Sequence, residues 1–160
     1  AITFVIILSG LFVGSLAYTK AYKVKNKIIE EIEREGEHTS PTENVYNDDV
    51  ETRIEQWLAG TTQNGQRGIG YKKNGRKYNN CPRYKGNDAI NQIEDYHYCI
   101  YRISTCDKKN TCTADSNNDN SCKCDTYYHV ITYMYFDFPL VEEFPIPVTG
   151  DTMSFVKIDS

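Results

Sequence analysis

The chain has 160 residues, a net charge of −4 and 13 tyrosines. The mild charge argues against a general polyanion-binding protein, and the length limits the chain to one modest domain beyond its N-terminal segment. Tyr, Asn, Thr and Lys are frequent and Leu and Ala are scarce, a mix that favours strands and polar turns over a helical bundle.

The first predicted element is an apolar helix. Residues 1–18, AITFVIILSGLFVGSLAY, carry no charged side chain. As a helix they span ~27 Å, close to the hydrocarbon thickness of a bilayer. Signal peptides normally have a basic flank before the apolar run, and none is present. The simplest interpretation is that a short basic leader has been removed; an arbitrary chain boundary is the alternative.

The helical pattern continues past Tyr18 through Val24, Ile28, Ile29 and Ile32, and Gly36 is predicted to end it. Residues 1–36 therefore form one predicted rod of ~50 Å, apolar all round at first and amphipathic afterwards. Gly10 and Gly14 are four residues apart, the spacing that lets apolar helices pack closely, although chance explains such a pair equally well. The rod requires a membrane first and partner helices afterwards.

Two charged blocks follow the apolar run. The lysine block is Lys20, Lys23, Lys25 and Lys27, and the glutamate block is Glu30, Glu31, Glu33 and Glu35. Parallel neighbouring helices offset by ~10–15 Å would set one block against the other, which predicts a staggered bundle. The alternative is pairing within one helix, for instance Lys27 with Glu31.

The position of the remaining chain relative to a membrane is contested by two signals. The lysine block places residues after the apolar run in the cytoplasm by the positive-inside rule. All six cysteines lie between Cys81 and Cys124, which is typical of a disulfide framework in an oxidising compartment. A zinc site is the alternative use of the cysteines, but their spacings do not give two matching short pairs. The cysteines favour an extracellular domain.

Residues 37–47 are predicted to be a polar linker and residues 48–160 an extracellular α+β domain. A second helix starts at Asp48, which forms a capping box with Glu51, and ends at Gly60. Its apolar face is Val50, Ile54, Trp57 and Leu58. Trp57 is interpreted as a core anchor between helix and sheet rather than a ligand platform.

Residues 61–87 mix basic side chains with tyrosines and contain no acidic residue. Such a mixture is used by single-stranded nucleic-acid grooves. The favoured interpretation is a solvated or intersubunit patch, with hairpin turns at Asn64-Gly65 and Asn74-Gly75 and acidic partners at Glu142, Glu143 and Asp151.

Residues 96–105 and 126–138 are rich in aromatic and β-branched side chains and predict two strands. We expect a stapled hairpin with the nested pairs Cys106–Cys124 and Cys112–Cys122, leaving Cys81–Cys99. Pro139 ends the second strand, Pro145 and Pro147 suit an edge strand, residues 149–151 predict a turn, and residues 153–158 predict a last strand.

Cofactor and catalytic signals are weak. Asp115, Asn117 and Asp119 resemble the first half of an EF-hand calcium loop, but the closing glutamate is absent, and a flexible polar loop is the favoured interpretation. His38, His97 and His129 share no motif, and no nucleophile elbow, phosphate loop or zinc-protease signature occurs. We predict that the chain is not an enzyme; an anchored enzyme of unknown chemistry is a third alternative.

An apolar N-terminus, one long helix and a disulfide-bearing β-rich part together resemble a type IV pilin-like subunit, with the tight-adherence pilus proteins of Gram-positive bacteria nearest. The resemblance covers residues 1–36 and, loosely, the chain-end phrase FPIPVTGDT. Pilins usually carry a glutamate at position 5 to neutralise a neighbour's N-terminal amine, whereas this chain has Val5, which points to a divergent member. The Ala1 amine would then have to be neutral, methylated or satisfied by Thr3 and backbone carbonyls.

The resemblance implies a subunit of an extracellular helical filament for adhesion, held by contacts between copies of its N-terminal helix. It also implies membrane insertion before assembly, processing by a prepilin-peptidase-like enzyme and dedicated assembly machinery. A single-pass anchored binding protein that does not polymerise is the alternative. The assembly residues expected on the helix are Ala1, Thr3, Phe4, Val5, Leu8, Gly10, Leu11 and Gly14.

Overall fold

The computed structural model describes residues 1–38, 45–60, 81–91, 98–106, 124–136 and 144–156. They form an α+β fold in which a long N-terminal helix and a shorter second helix cover one face of a small antiparallel sheet. The predicted fold class agrees with this arrangement at that level of detail.

Helix α1 spans Ile2–His38. Its second half presents a buried stripe of Ala21, Val24, Ile28 and Ile32, the three- and four-residue spacing of one helix face. The predicted end at Gly36 is wrong, because the helix continues for two more residues. Gly36 has a packing role instead: a Cβ atom there would lie 2.0 Å from Cε1 of Phe155, so only glycine lets that ring approach the helix.

Helix α2 spans Asp48–Ala59 and buries Val50, Ile54 and Leu58, as their spacing predicts, while Trp57 is partly buried against the same core. Its N-cap is Asn47, whose side chain accepts a hydrogen bond from the Val50 amide. The predicted capping box of Asp48 and Glu51 is therefore wrong: the cap lies one residue earlier, and the third helical residue is Val50, whose side chain cannot return a hydrogen bond. Gly60 ends the helix in the left-handed conformation, with φ at 81°.

The predicted linker of residues 37–47 is wrong at both ends. Glu37 and His38 belong to α1, and Val45 and Tyr46 are buried in the core beside α2. Their burial ties the start of α2 to the sheet. Residues 39–44 lie outside the described part.

The sheet contains β1 (Tyr98–Cys106), β2 (Cys124–Phe136), β3 (Phe144–Asp151) and β4 (Phe155–Val156). Strand β2 is central: it pairs antiparallel with β1 on one side and with β3 and β4 on the other. The predicted hairpin of two aromatic strands is present as β1 and β2, with bounds shifted by about two residues. The pairing places Cys106 opposite Cys124. Pro145 and Pro147 lie on β3, an edge of the described sheet, as predicted.

The predicted turn at residues 149–151 is wrong, because these residues extend β3 and pair with β2 from Ile131 to His129. Gly150 lies directly under α1, where a Cβ atom would be 2.9 Å from both Cδ1 of Ile29 and Cδ of Lys25. The glycine thus allows a close approach of helix to sheet rather than a change of chain direction.

Strands β3 and β4 follow the same edge of β2 with a one-residue offset in register. Asp151 pairs with His129, but Phe155 pairs with Thr126, so four steps on one side match three on the other. Thr152 bridges the offset: its amide donates to the Tyr128 carbonyl, and its hydroxyl accepts from the Tyr128 amide. Within the described residues the predicted last strand, 153–158, is present as β4, which begins at Phe155 and places that side chain against α1.

The second face of the sheet is covered by residues 81–91. A disulfide, one of the three expected pairings, joins Cys81 to Cys99 on β1 with 5.8 Å between the Cα atoms. Tyr84 and Ala89 of this segment pack on a small cluster of Cys99, Tyr101, Ile103 and Ile131. Both faces of the three-stranded part are therefore buried, the first by helices and the second by a disulfide-bound segment.

Candidate assembly helix

The N-terminal half of α1 projects from the domain without cover. Its apolar side chains are exposed from Ile2, at 79%, through Phe12, at 67%, to Leu16. We call residues 2–16 the apolar arm. It contains Phe4, Val5, Leu8 and Leu11 among the residues expected for assembly, together with Thr3, Gly10 and Gly14. Ala1 is exposed at its tip, where its carbonyl accepts the first helical bond from the Val5 amide.

By length and composition α1 is able to cross a membrane. The helix contains an uninterrupted window of high hydropathy at its N-terminal end, and only 12% of that window is buried within the chain. A core helix of a soluble protein would bury most of such a window. The arm therefore presents apolar surface in amounts that water does not favour.

The other half of α1 is held by a polar contact as well as by its apolar stripe. The hydroxyl of Thr132, on β2, donates to the main-chain carbonyl of Ala21 over 3.0 Å, and both residues are buried. Val148 of β3 packs against Ala21 in the same small cluster. The part of α1 that packs on the sheet thus extends from Ala21 to Gly36, where Phe155 packs, and we call this part the seat.

An ion-pair network joins α1 to α2. Glu31 is buried and contacts Lys27 at 3.0 Å and Arg53 at 3.0 Å, and Arg53 reaches Glu35 at 2.8 Å. Burial by itself raises the pKa of Glu31, but the hydrogen bonds and charges of Lys27 and Arg53 outweigh it and hold that pKa below its ordinary value. The same carboxylates outweigh the effect of burial on Arg53 and raise its pKa.

The network changes the interpretation of the two charged blocks. Glu31 and Glu35 are satisfied by Arg53, and Glu33 accepts a hydrogen bond from the Met153 amide at 2.8 Å. Lys27 pairs with Glu31, which is the alternative that the sequence left open. Glu30, although 69% exposed, also lies 3.9 Å from Lys27 in its own helix. Intersubunit pairing between staggered helices stays a prediction for the two blocks.

The described part of the basic, tyrosine-rich segment contacts its own domain. Arg83 pairs with Asp88 at 3.0 Å, and Lys85 donates to the Tyr127 hydroxyl at 3.0 Å. Tyr84 stacks on His129 with 3.8 Å between ring centroids, and His129 pairs with Asp151. Asp151 therefore has a partner in its own chain, and His129 has a structural role. These contacts favour a structured patch over a nucleic-acid groove for residues 81–87.

Several predicted sites lie outside the described residues. They are the calcium candidates Asp115, Asn117 and Asp119, the cysteines Cys112 and Cys122, His97, Glu142 and Glu143, and the Asn-Gly pairs in residues 61–80. Within the described residues, no group of His, Cys, Asp or Glu side chains is arranged to hold a metal ion. The chain matches no protein-family model, no curated protein and no solved structure.

Sequence reasoning missed three residues that position the helix. Thr132 carries a hydroxyl group within an apolar stretch of β2, and Arg53 is the one basic residue of the acidic helix α2. Each residue departs from its local pattern, and that departure could have indicated a tertiary contact. Gly150 gives no such signal, because a glycine near an aspartate looks like a turn until the overlying helix is known.

Proposed function

We propose that the chain is a structural subunit of an extracellular helical filament, related to type IV pilins, that polymerises through α1 and serves adhesion or surface contact. The observation that carries this proposal is the contrast between the two halves of one continuous helix. The half from Ala21 buries one face against the domain, whereas the large apolar side chains of the arm are exposed from Ile2 to Leu16. Such an arm is suited to packing among copies of itself.

The energetic argument follows from the exposed area. Burying one Leu, Ile or Phe side chain contributes about 1.5–3 kcal/mol, and the arm exposes ten large apolar side chains, from Ile2 to Leu16. A bilayer shelters this surface before assembly, and neighbouring arms shelter it afterwards. The domain, attached beyond Ala21, would then lie outside the helical core, and its Cys81–Cys99 disulfide suits an oxidising exterior.

The deciding experiment is mild shearing of cells that make the chain, followed by electron microscopy and immunogold labelling of the released material. The proposal predicts long fibres labelled along their length. Recovery of the chain only from the detergent-soluble membrane fraction would overturn it and favour the single-pass anchored binding protein, which the same membrane-competent helix also fits.

A variant pair separates polymerisation from anchoring. Two glycines four residues apart leave a shallow groove on a helix, through which a neighbouring helix can approach closely. The double substitution Gly10→Leu and Gly14→Leu would fill that groove and make the arm more apolar. Membrane insertion should therefore be retained, and close helix packing should be lost. Val13→Leu is the matched control, because it adds a methylene group at an exposed position of the same arm. We expect sheared fibres from the control and none from the glycine double variant, with equal amounts of the two chains in the membrane fraction. Fibres from both would contradict packing through this groove.

A further inference from the structure

The boundary between the apolar arm and the domain carries a group of aromatic and basic side chains. Tyr18 and Tyr22 are half exposed and stack on each other with 6.2 Å between ring centroids. Lys20, Lys23 and Lys25 occupy the same two turns. We call these five residues the collar.

The contacts of Lys25 fix the direction of one collar ammonium group. Its methylene groups run beside Gly150, and its Nζ atom lies 4.2 Å from the centroid of the Tyr22 ring. The Cα–Cβ bonds of Lys20 and Lys23, like those of all helical residues, are tilted toward the N-terminus and so toward the arm. The positive charge of the collar is therefore placed on the arm side of the domain.

The axial dimensions match a bilayer. The stretch from Ala1 to Tyr18 spans ~27 Å, close to the hydrocarbon thickness of ~30 Å, so the collar, which rises a further ~10 Å, begins at the headgroup layer. Tyrosines at this depth are typical of the membrane interface. No acidic side chain occurs on α1 before Glu30, and Lys27, one turn farther on, is paired with Glu31. The collar therefore carries a net positive charge along this stretch of α1.

We propose that the collar binds the phosphate headgroups of anionic phospholipids when the arm is in a bilayer. The lysines supply the attraction and the two tyrosines set the depth. The inference rests on membrane insertion, which is part of the proposed function, but not on polymerisation. The bilayer then holds the subunit at a fixed height, with the seat beginning at Ala21 just outside the hydrocarbon.

The test uses the full chain in phosphatidylcholine nanodiscs containing a minority of phosphatidylglycerol, with a trace of either lipid spin-labelled. The immobilised fraction of each labelled lipid gives their relative association constant. We expect a preference for phosphatidylglycerol of about fivefold or more, the factor that one lysine at an anionic surface supplies. The preference should weaken in high salt, because exposed charges are screened.

Two triple variants identify the residues responsible. Lys20→Gln, Lys23→Gln and Lys25→Gln together should bring the relative association constant close to one, while the corresponding Lys→Arg variant should keep the preference. Absence of a preference in the unmodified chain, or a preference that survives the glutamine variant, would overturn the proposal. Filament formation is scored separately by shearing, so fibres from a chain without lipid preference would refute the collar and leave the proposed function intact. Absence of any immobilised lipid would refute the collar and membrane insertion together.

Discussion

Thr132 on β2 donates a buried hydrogen bond of 3.0 Å to the main-chain carbonyl of Ala21, in the middle of α1. A helical carbonyl has capacity for a second donor beyond its i+4 amide, and here a strand supplies it. This bond lies where the apolar arm ends and the seat on the domain begins. Together with the packing of Val148 against Ala21, it positions the helix along the sheet.

We expect Thr132→Val to reduce the free energy of unfolding by about 1 kcal/mol, since a buried hydrogen bond is lost while the side-chain volume is kept. Unfolding of the full chain in detergent micelles can be followed by the fluorescence of Trp57, which packs against the core between helices and sheet. Thr105→Val on β1 is the control, because Thr105 is exposed. Equal losses in both variants would contradict a specific role for the bond to Ala21.

Gly36→Ala should destabilise the chain, against the usual trend. An alanine in a helix interior is normally favoured over glycine by about 1 kcal/mol. Here the added methyl group would lie 2.0 Å from Cε1 of Phe155, whose ring also packs edge-on against Tyr128. Either the ring or the helix must move, which costs about 1–3 kcal/mol.

A double-mutant cycle isolates that contact. In a Phe155→Ala background the obstacle is gone, so Gly36→Ala should be neutral or stabilising. Denaturant unfolding of the four chains gives the coupling free energy. A Gly36→Ala effect of the same sign and size in both backgrounds would show that the ring is not the cause.

The elements that could be predicted from the sequence are those with a recognisable local pattern of apolar residues. The stripe of α1 and the face of α2 repeat at helical spacing, and β1 and β2 are dense in aromatic and β-branched side chains. The apolar arm could also be predicted, because a long run of uncharged residues is recognised from the sequence alone, without knowledge of its tertiary contacts. The Cys81–Cys99 pair also followed, as the remainder of a nested hairpin arrangement.

The errors occurred where a residue's role depends on what lies across from it. The sequence predicts a helix end at Gly36 and a turn at Gly150, yet each glycine permits a close approach of helix and sheet that only the fold reveals. The Lys27–Glu31 pair is one of the alternatives that the sequence leaves open, but the second partner of Glu31, Arg53, is 22 residues away and no local pattern indicates it. Local sequence patterns therefore predict the apolar arm, whereas the packing of the rest of α1 on the sheet depends on tertiary contacts that these patterns do not show.

Glu31 should make stability depend on pH in acid. Its pKa in the folded chain is below the ordinary value of 4.5, so the stabilisation is fully present above about pH 4.5 and is lost as the pH falls through the folded pKa. Glu31→Gln should cost about 1–3 kcal/mol near neutral pH, because Arg53 and Lys27 lose a buried carboxylate partner. The difference in unfolding free energy between the unmodified chain and the variant should then become smaller toward pH 3.

The measurement for Glu31 is the difference in unfolding free energy between the variant and the unmodified chain from pH 7 to pH 3. A difference is needed because Glu51 acts in the opposite direction: burial and the charges of Glu55 and Asp48 raise its pKa. Glu30→Gln is the control, since the Glu30 side chain is 69% exposed and its contact with Lys27, at 3.9 Å, is a surface ion pair that contributes little. A gap that stays constant down to pH 3 would refute the ion-pair origin.

The Cys81–Cys99 disulfide should determine the order of the segment that covers the second face of the sheet. Replacing both cysteines with alanine should cost about 2–4 kcal/mol, the usual effect of losing a disulfide. The local consequence is more specific. Tyr84 and Asn87 exchange a pair of backbone hydrogen bonds around a tight turn at Lys85 and Gly86, both at positive φ, and Tyr84 stacks on His129.

Hydrogen exchange at individual amides tests that consequence. In the Cys81→Ala, Cys99→Ala chain, the Tyr84 and Asn87 amides should exchange much faster than in the disulfide-bonded chain, because the turn has lost its covalent attachment to β1. The α2 amides from Ile54 to Leu58 serve as the internal control, since they pack on the opposite face of the sheet. If the turn amides keep their protection, the Tyr84–His129 stack and the Asn91 hydrogen bonds to Ile100 and Tyr98 hold the segment without the disulfide. If all amides lose protection together, the bond stabilises the domain as a whole rather than this face.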